Sequence, residues 1–109
     1  MAYKVEIDPV FSKAFKKLSK KYPSFPSDLK VLIEELKENA FLGTWLGGNV
    51  RKIRLAIKSK GKGKSGGSRV ITYVLVVDQV VILLTAYDKS KVETVTATEL
   101  KNIVSRYEE

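Results

Sequence analysis

The sequence predicts a single α+β domain, with an antiparallel sheet of about four strands packed against an N-terminal helical hairpin and a C-terminal helix. Two amphipathic helical segments stand near the start, and strand-like segments follow residue 50. The length of 109 residues suits one ordinary domain, and the sequence contains no internal repeat. We therefore expect residues 1–109 to form one domain in the order β-α-α-β-β-β-α.

The N-terminal half has the pattern of one strand followed by two helices. Tyr3–Ile7 alternates between apolar and polar residues, and the following Asp8-Pro9 pair is typical of a helix N-cap and first position. Apolar residues at helical spacing extend this helix to about Tyr22 and, after a proline-rich break, predict a second helix from about Ser27. Residues 40–49, with three glycines, are expected to form a loop.

The second half predicts three strands and a helix. Residues 50–58 alternate strictly, and nearly continuous apolar runs follow over residues 69–77 and 80–87. The Lys/Gly/Ser tract over residues 59–67 is expected to be a long, flexible, positively charged hairpin tip. A capping-box spacing from Thr96 predicts the C-terminal helix.

Charge is the strongest compositional signal. Twenty Lys and Arg against twelve Asp and Glu give a net charge of +8, which predicts affinity for phosphate-rich or acidic partners. Without Cys or His, the chain cannot form disulfides, thiolate metal sites or a histidine general base, and it lacks most transition-metal ligand sets. No cofactor is expected. No apolar run reaches the roughly 18 residues of a membrane span, and we expect a cytoplasmic protein.

Basic residues concentrate on one predicted hairpin. From Arg51 to Arg69 there are eight Lys or Arg and no acidic residue. The strand period places Lys52, Arg54 and Lys58 on one face, close to the start of the partner strand at Arg69. Because like charges so close repel one another, we predict a phosphate-binding surface. The loop adds a second contact to a nucleic-acid backbone through Lys60, Lys62 and Lys64.

Three segments of the chain carry a resemblance to a known family, namely Gly47–Ala56, Lys60–Ile71 and Leu83–Ser90. They resemble the RelE/HigB branch of the RelE/ParE superfamily of bacterial toxin-antitoxin toxins. The order of elements also agrees along nearly the whole chain, although the helices match only in type. The resemblance implies a RelE-like toxin domain that cleaves mRNA on the ribosome, without a metal, by activating the ribose 2′-hydroxyl against the neighbouring phosphate. It also implies a cognate antitoxin, the ribosome with its rRNA, and mRNA as partners.

The resemblance implies functional roles for four basic residues. Lys52 and Arg54 match the family's paired strand cations, Arg69 matches its phosphate-stabilising Arg, and Lys89 matches the basic residue after the last strand. The resemblance thus implies that Lys52 is a base or an electrostatic stabiliser. It implies that Arg54 and Arg69 clamp the transition state.

The general acid is less directly assigned. The family's best-known members place a Tyr shortly after the last basic residue, where this chain has Val95. Tyr87 or Tyr73 is therefore the substitute candidate. Further RNA contacts are predicted from the remaining basic residues and one tyrosine, namely Arg51, Lys58, Lys60, Lys62, Lys64, Tyr73 and Lys91.

Two other functions fit the same pattern. A gyrase-directed toxin of the ParE type would share the fold but lack a nucleolytic cluster. A non-catalytic RNA- or ribosome-binding module would use the same basic surface. Retention of Lys52, Arg54 and Arg69 together favours cleavage over both, although a binding module could keep all three.

Overall fold

The computed structural model describes residues 2–91 and 95–108 and confirms the predicted α+β class. The elements are β1 (Lys4–Ile7), α1 (Pro9–Lys21), α2 (Phe25–Glu38), β2 (Thr44–Gly47), β3 (Val50–Leu55), a short 3₁₀ helix (Lys58–Lys60), β4 (Ser68–Leu75), β5 (Val80–Asp88) and α3 (Ala97–Val104). In these described ranges, five strands form one sheet in the order β1-β5-β4-β3-β2.

The sheet has one more strand than predicted and is mixed rather than purely antiparallel. β1 runs parallel to β5, and the other neighbouring pairs are antiparallel. The additional strand is β2, which lies in the segment that was expected to be a loop. Its approach depends on Gly43, whose φ is +101° and whose missing Cβ would lie 2.6 Å from the carbonyl oxygen of Lys52. The glycines that suggested a loop therefore let a short edge strand pack closely against β3.

Two predicted boundaries also move. α2 begins at Phe25 rather than near Ser27, because Pro26 stands in the first turn, where proline is tolerated. β3 ends at Leu55, and the chain turns into the 3₁₀ helix from Lys58. The prediction that Lys58 continues the alternating face of β3 is therefore wrong.

The sheet is covered differently on its two faces. The helical hairpin packs on one face, and its buried residues meet the sheet in a core of Phe11, Leu18, Phe25, Leu29, Leu32, Leu36, Ile53, Val70, Val81 and Leu83. On the second face, α3 brings Ile103 into a separate cluster with Val50, Ile71, Tyr73, Ile82 and Leu84. Most strand residues of this cluster lie towards the start of β5, and Arg54, near the other end of this face, is exposed.

Asp8 joins the two ends of the described chain. As predicted, it caps α1, since its Oδ1 accepts the backbone N–H of Val10 at 2.8 Å. It also accepts hydrogen bonds from Arg106, at 2.5 and 2.7 Å, and from the hydroxyl of Tyr107. We call Asp8, Arg106 and Tyr107 the Asp8 cluster. Burial alone would raise the pKa of Asp8, but the hydrogen bonds outweigh burial and lower it.

The predicted start of the C-terminal helix is confirmed. The hydroxyl oxygen of Thr96 accepts the backbone N–H of Glu99 at 3.1 Å, which caps α3. Across residues 2–91 and 95–108, no helix combines the length and the apolar character that crossing a membrane requires.

Candidate nucleic-acid interface

A row of cationic and aromatic side chains crosses the end of the second face where Arg54 is exposed. Strand pairing joins Arg54 to Arg69 and Arg69 to Tyr87, so the three residues stand side by side on β3, β4 and β5. Directly paired residues in an antiparallel sheet share a face, with Cα atoms about 4.5 to 5.5 Å apart. Lys52 lies two residues before Arg54 and shares that face. We call Lys52, Arg54, Arg69 and Tyr87 the basic row.

The first two members of the basic row are open to solvent or partly so. Arg54 is exposed and Lys52 is half-buried. Within the described ranges, neither forms an ion pair with a carboxylate. Tyr87 is half-buried beside the apolar cluster of the second face. Lys89 is exposed immediately after β5, and its backbone N–H donates to the carbonyl oxygen of Gly67 at 3.0 Å. The structure therefore brings four of the five catalytic candidates onto one face and the fifth to its margin.

Arg69 is held differently from its neighbours. Its side chain is buried, with 4% of the residue exposed. Its guanidinium donates to the carbonyl oxygens of Lys64, at 3.0 Å, Ser68, at 3.2 Å, and Ser65, at 3.3 Å. In this structure Arg69 fastens the Lys/Gly/Ser segment of residues 59–67, which we call the basic loop, to β4. A phosphate reaches the guanidinium only after these carbonyls move away.

The basic loop is anchored rather than freely flexible. The backbone N–H of Lys58 donates to Oδ2 of the buried Asp28 at 3.0 Å. The next residue, Ser59, donates its backbone N–H to Oγ of Ser24 at 2.8 Å. These bonds attach the start of the loop to the first turn of α2. The expectation of a freely flexible tip is corrected at these points, while the side chains of Lys62 and Lys64 remain exposed as predicted.

A second buried carboxylate, Asp88, binds one of the lysines that were predicted to contact RNA. Asp88 is 4% exposed, and its Oδ1 accepts Nζ of Lys60 at 2.5 Å. The same oxygen accepts the backbone N–H of Ser90 at 3.0 Å and its hydroxyl at 2.8 Å, while Oδ2 accepts the hydroxyl of Tyr22. We call Asp88, Lys60, Tyr22 and Ser90 the Asp88 cluster.

The Asp88 cluster corrects the predicted role of Lys60. The Lys60 side chain is only 8% exposed and is neutralised by Asp88, so it does not present a free cation to RNA. Burial alone would raise the pKa of Asp88, but the hydrogen bonds from Lys60, Tyr22 and Ser90 outweigh it and hold the pKa far below its usual value of 3.8. Asp88 was not among the site residues predicted from the sequence. The available signal was an acidic residue at the end of an apolar strand with a Ser two positions later, typical of an Asx turn.

Two other predicted RNA contacts lie elsewhere. Arg51 points to the face opposite the basic row, with its guanidinium carbon 5.2 Å from the ring centroid of Phe41. Tyr73 is on the face of the basic row, but it is only 6% exposed and its ring centroid lies 5.9 Å from that of Tyr107. In this conformation neither side chain can join the surface formed by the basic row. Tyr73 is corrected to a core residue, and Tyr87 is the tyrosine that lies in the row.

Lys91 lies near the Tyr87 end of the basic row, since both residues line one cleft. It is exposed and lies beside Lys21 at the end of α1, where its proximity lowers the pKa of Lys21. These residues border a cleft of about 660 Å³ between α1 and β5, which Lys13 and Lys17 also line. In the described part of the chain, no group of three or more His, Cys, Asp or Glu side chains is placed to hold a metal ion.

Comparisons with known proteins identify the fold. A mutant of the Escherichia coli toxin RelE in the free state matches with a TM-score of 0.66 at 20% identity, covering 97% of this chain and 98% of the other. The E. coli RelBE toxin-antitoxin complex matches with a TM-score of 0.61 at 22% identity, covering 83% and 99%. The Mycobacterium tuberculosis RelBE2 toxin-antitoxin complex matches with a TM-score of 0.61 at 13% identity, covering 81% and 99%.

These structures show a common fold, and the sequence itself gives the family. A family model described as the RelE toxin of the RelE / RelB toxin-antitoxin system matches residues 10–106, which include α1 from its second residue, α2, α3 and four of the five described strands. The chain therefore belongs to the RelE toxin family of toxin-antitoxin systems.

Proposed function

We propose that this protein is the toxin of a bacterial type II toxin-antitoxin system and that it cleaves mRNA on the ribosome without a metal. The observation that carries the proposal is the basic row. It places two cations without carboxylate partners in the described ranges, Lys52 and Arg54, beside Arg69 and Tyr87 on one face of the sheet. Such a cluster offers cationic and proton-donating groups to one phosphodiester.

The reaction that suits these side chains is an internal phosphoryl transfer. The ribose 2′-oxygen loses its proton and bonds to the adjacent phosphorus, while the bond from phosphorus to the 5′-oxygen breaks. The products are a 2′,3′-cyclic phosphate and a 5′-hydroxyl. Lys52 is the base in its neutral form or a stabiliser of the phosphorane in its charged form. Arg54 neutralises charge on the non-bridging oxygens.

Arg69 and Tyr87 complete the proposed site. Once the loop carbonyls of Lys64 and Ser65 release the guanidinium, Arg69 can clamp the phosphate from the centre of the row. Tyr87, next to Arg69 across the strands, is the candidate that gives a proton to the leaving 5′-oxygen. Lys89 lies at the margin and adds positive charge. The exposed side chains of Lys58, Lys62, Lys64 and Lys91 contribute contacts with RNA phosphates.

The proposed partners follow from the family and the charge. The solved E. coli and M. tuberculosis relatives include toxin-antitoxin complexes, and we extend that partnership to this chain. A net charge of +8 suits an acidic antitoxin segment as well as rRNA and mRNA. The cytoplasm, where translating ribosomes are found, is the proposed location.

The test is to add purified protein to a translating extract and to map new mRNA 5′ ends. Wild-type protein is expected to produce ribosome-dependent 5′ ends. Lys52→Ala, Arg54→Ala and Arg69→Ala should each reduce the cleavage rate, by roughly 100-fold where a transition-state contact is lost. Lys30→Ala, on the exposed side of α2, is the matched loss of a surface cation and should cleave normally.

Two results would replace the proposal with another function. Ribosome binding without new 5′ ends would indicate a non-catalytic binding module. Inhibition of gyrase supercoiling by wild-type protein, without cleavage of mRNA, would indicate a toxin of the ParE type. The match to the RelE family supports cleavage over that second function.

A further inference from the structure

The Asp88 cluster lies directly behind the basic row, on the other face of the sheet. Asp88 is the last residue of β5 and immediately follows Tyr87. Successive residues of a strand point to opposite faces, so Asp88 faces α1 while Tyr87 faces the row. We propose that Asp88 is a positioning residue for RNA cleavage, which fixes Tyr87 and the basic loop from behind through Tyr22, Lys60 and Ser90. This inference rests on the proposed function.

The end of β5 depends on Asp88 for its position. In the described ranges β1 pairs with β5 only along Val80–Leu83, so the last residues of β5 have a strand neighbour on the β4 side alone. The bond from Tyr22 ties this end to the last turn of α1. The bonds from Ser90 close the turn that follows. The orientation of Tyr87 is thus set by bonds made by the residue next to it.

The basic loop depends on the same carboxylate. Lys60 reaches 28 positions along the chain to bind Asp88, and its Nζ also donates to Oγ of Ser90 at 2.8 Å. A few residues further along, the loop carbonyls of Lys64 and Ser65 hold the Arg69 guanidinium. Asp88 therefore adjoins Tyr87, which pairs with Arg69, and binds the loop whose carbonyls hold the Arg69 guanidinium.

Asp88 offers almost no surface to a substrate. It is 4% exposed where it borders the cleft between α1 and β5, and its two carboxylate oxygens are already bound by Lys60, Tyr22 and Ser90. The lowered pKa of Asp88 keeps the carboxylate ionised at any physiological pH, so the bonds to Lys60 and Tyr22 persist. Its contribution to cleavage must pass through the residues that it holds.

The experiment measures single-turnover cleavage on mRNA-programmed ribosomes with Asp88→Asn. Titration of the protein separates the cleavage rate of the saturated complex from the concentration that half-saturates the ribosome. We expect the saturated rate to fall roughly 10- to 100-fold, since small displacements of reacting groups have effects of this size. The half-saturating concentration should change less than about twofold, because the exposed cations that bind RNA are retained.

The matched control is Glu34→Gln. It makes the same change from carboxylate to amide, but in an exposed ion pair on α2. In that pair Oε2 of Glu34 lies 2.7 Å from Nζ of Lys37. Neither the saturated rate nor the half-saturating concentration should change. An equal loss in this control would overturn the inference, because the effect would not depend on the place of the carboxylate.

A double variant separates positioning from simple stability. Asp88→Asn alone leaves the ammonium of Lys60 buried without a charged partner, whereas Asp88→Asn with Lys60→Met removes both charges, so its Tm should recover towards wild type. If Asp88 positions the site, the saturated rate stays low in the double variant. Hydrogen exchange at the amide of Lys89, which bonds to Gly67, should remain faster than in wild type.

The outcomes are distinct. A wild-type rate in Asp88→Asn, or recovery of the rate together with Tm in the double variant, overturns the positioning role while leaving the proposed function intact. Absence of cleavage by wild-type protein on ribosomes overturns the proposed function and this inference with it. A low saturated rate that persists in the stable double variant supports the inference.

Discussion

The Asp8 cluster and the Asp88 cluster are built from the same parts but lie in different surroundings. In each, a buried Asp accepts a backbone N–H two residues further on, a tyrosine hydroxyl and a basic side chain. The difference lies in the cation. The Arg106 side chain is 47% exposed, whereas the Lys60 side chain is 8% exposed. In the Asp8 pair the cation stays hydrated, whereas in the Asp88 pair both charges are buried away from water.

Because of this difference, we expect loss of the carboxylate to lower the free energy of unfolding by different amounts in the two clusters. An exposed arginine that loses its partner is hydrated where it stands. A buried lysine that loses its partner must either remain as an uncompensated charge or pull the loop away to reach water. The first cluster fastens the C-terminal segment to the start of α1, and the second stands behind the basic row. Loss of Asp88 should therefore disturb both stability and the proposed site.

The largest expected difference is between Asp88→Ala and Asp8→Ala in the free energy of unfolding. Asp88→Ala should lower the free energy of unfolding by about 3 kcal/mol, because one partner of a buried ion pair is left behind. Asp8→Ala removes the N-cap of α1, which is worth about 1 kcal/mol, together with hydrogen bonds to a partly exposed cation. Urea unfolding followed by circular dichroism measures both. Equal losses, or a larger loss in Asp8→Ala, would show that exposure of the cation does not decide the cost.

The response to acid should sharpen the comparison. The pKa of each Asp is lower in the folded protein than the usual 3.8, so each stabilises the fold above that pH and loses this contribution as the pH falls through the folded-state pKa. The lowering is large for Asp88, so its contribution should persist to a lower pH.

Urea unfolding between pH 7 and pH 2 gives the measurement. Wild-type protein should lose stability below about pH 4. The curve of Asp88→Asn should be flatter than that of wild type over this range, by more than about 1 kcal/mol, since a lowered carboxyl pKa is missing from the folded state. Asp8→Asn should flatten the curve less. Parallel curves for wild type and Asp88→Asn would contradict the lowered pKa of Asp88.

Much of the fold was predictable because its signals are local. Period-two alternation identified β3, continuous apolar runs identified β4 and β5, and helical spacing identified α1. β2 was missed because its four residues lie between glycines, and the reason for a strand there is its pairing with β3 rather than its own sequence. The parallel pairing of β1 with β5 joins residues more than 70 positions apart and leaves no mark in either segment.

The basic row was predictable for the same reason, whereas the bonds around it were not. Strand period and hairpin pairing were sufficient to place Lys52 and Arg54 beside Arg69. The capture of Lys60 by Asp88 depends on how the loop folds back over the end of β5. The burial of Tyr73 depends on Tyr107, which follows α3 and lies 34 positions later. Sequence patterns placed cations on a face, and tertiary packing decided which side chains stay available.

The smallest and most selective comparison removes one hydroxyl from each cluster. Tyr22→Phe keeps the ring that lies 5.5 Å from Nζ of Lys60, and Tyr107→Phe keeps the ring that packs on Tyr73. Each variant therefore loses one hydrogen bond to a buried carboxylate and little else. Each should lower the free energy of unfolding by about 1 kcal/mol.

Their effects on cleavage should differ although their stabilities are alike. Tyr22→Phe loosens the end of β5 that carries Tyr87, so the saturated cleavage rate on programmed ribosomes should fall severalfold. Tyr107→Phe removes a bond at Asp8, which caps the start of α1, and keeps every bond of the Asp88 cluster, so it should leave that rate unchanged. Equal rates in the two variants would mean that the Asp88 cluster, like the Asp8 cluster, only fastens the fold. A lower cleavage rate in Tyr22→Phe alone would instead show that the Asp88 cluster supports cleavage and the Asp8 cluster does not. The reason would be the position of Asp88 next to Tyr87.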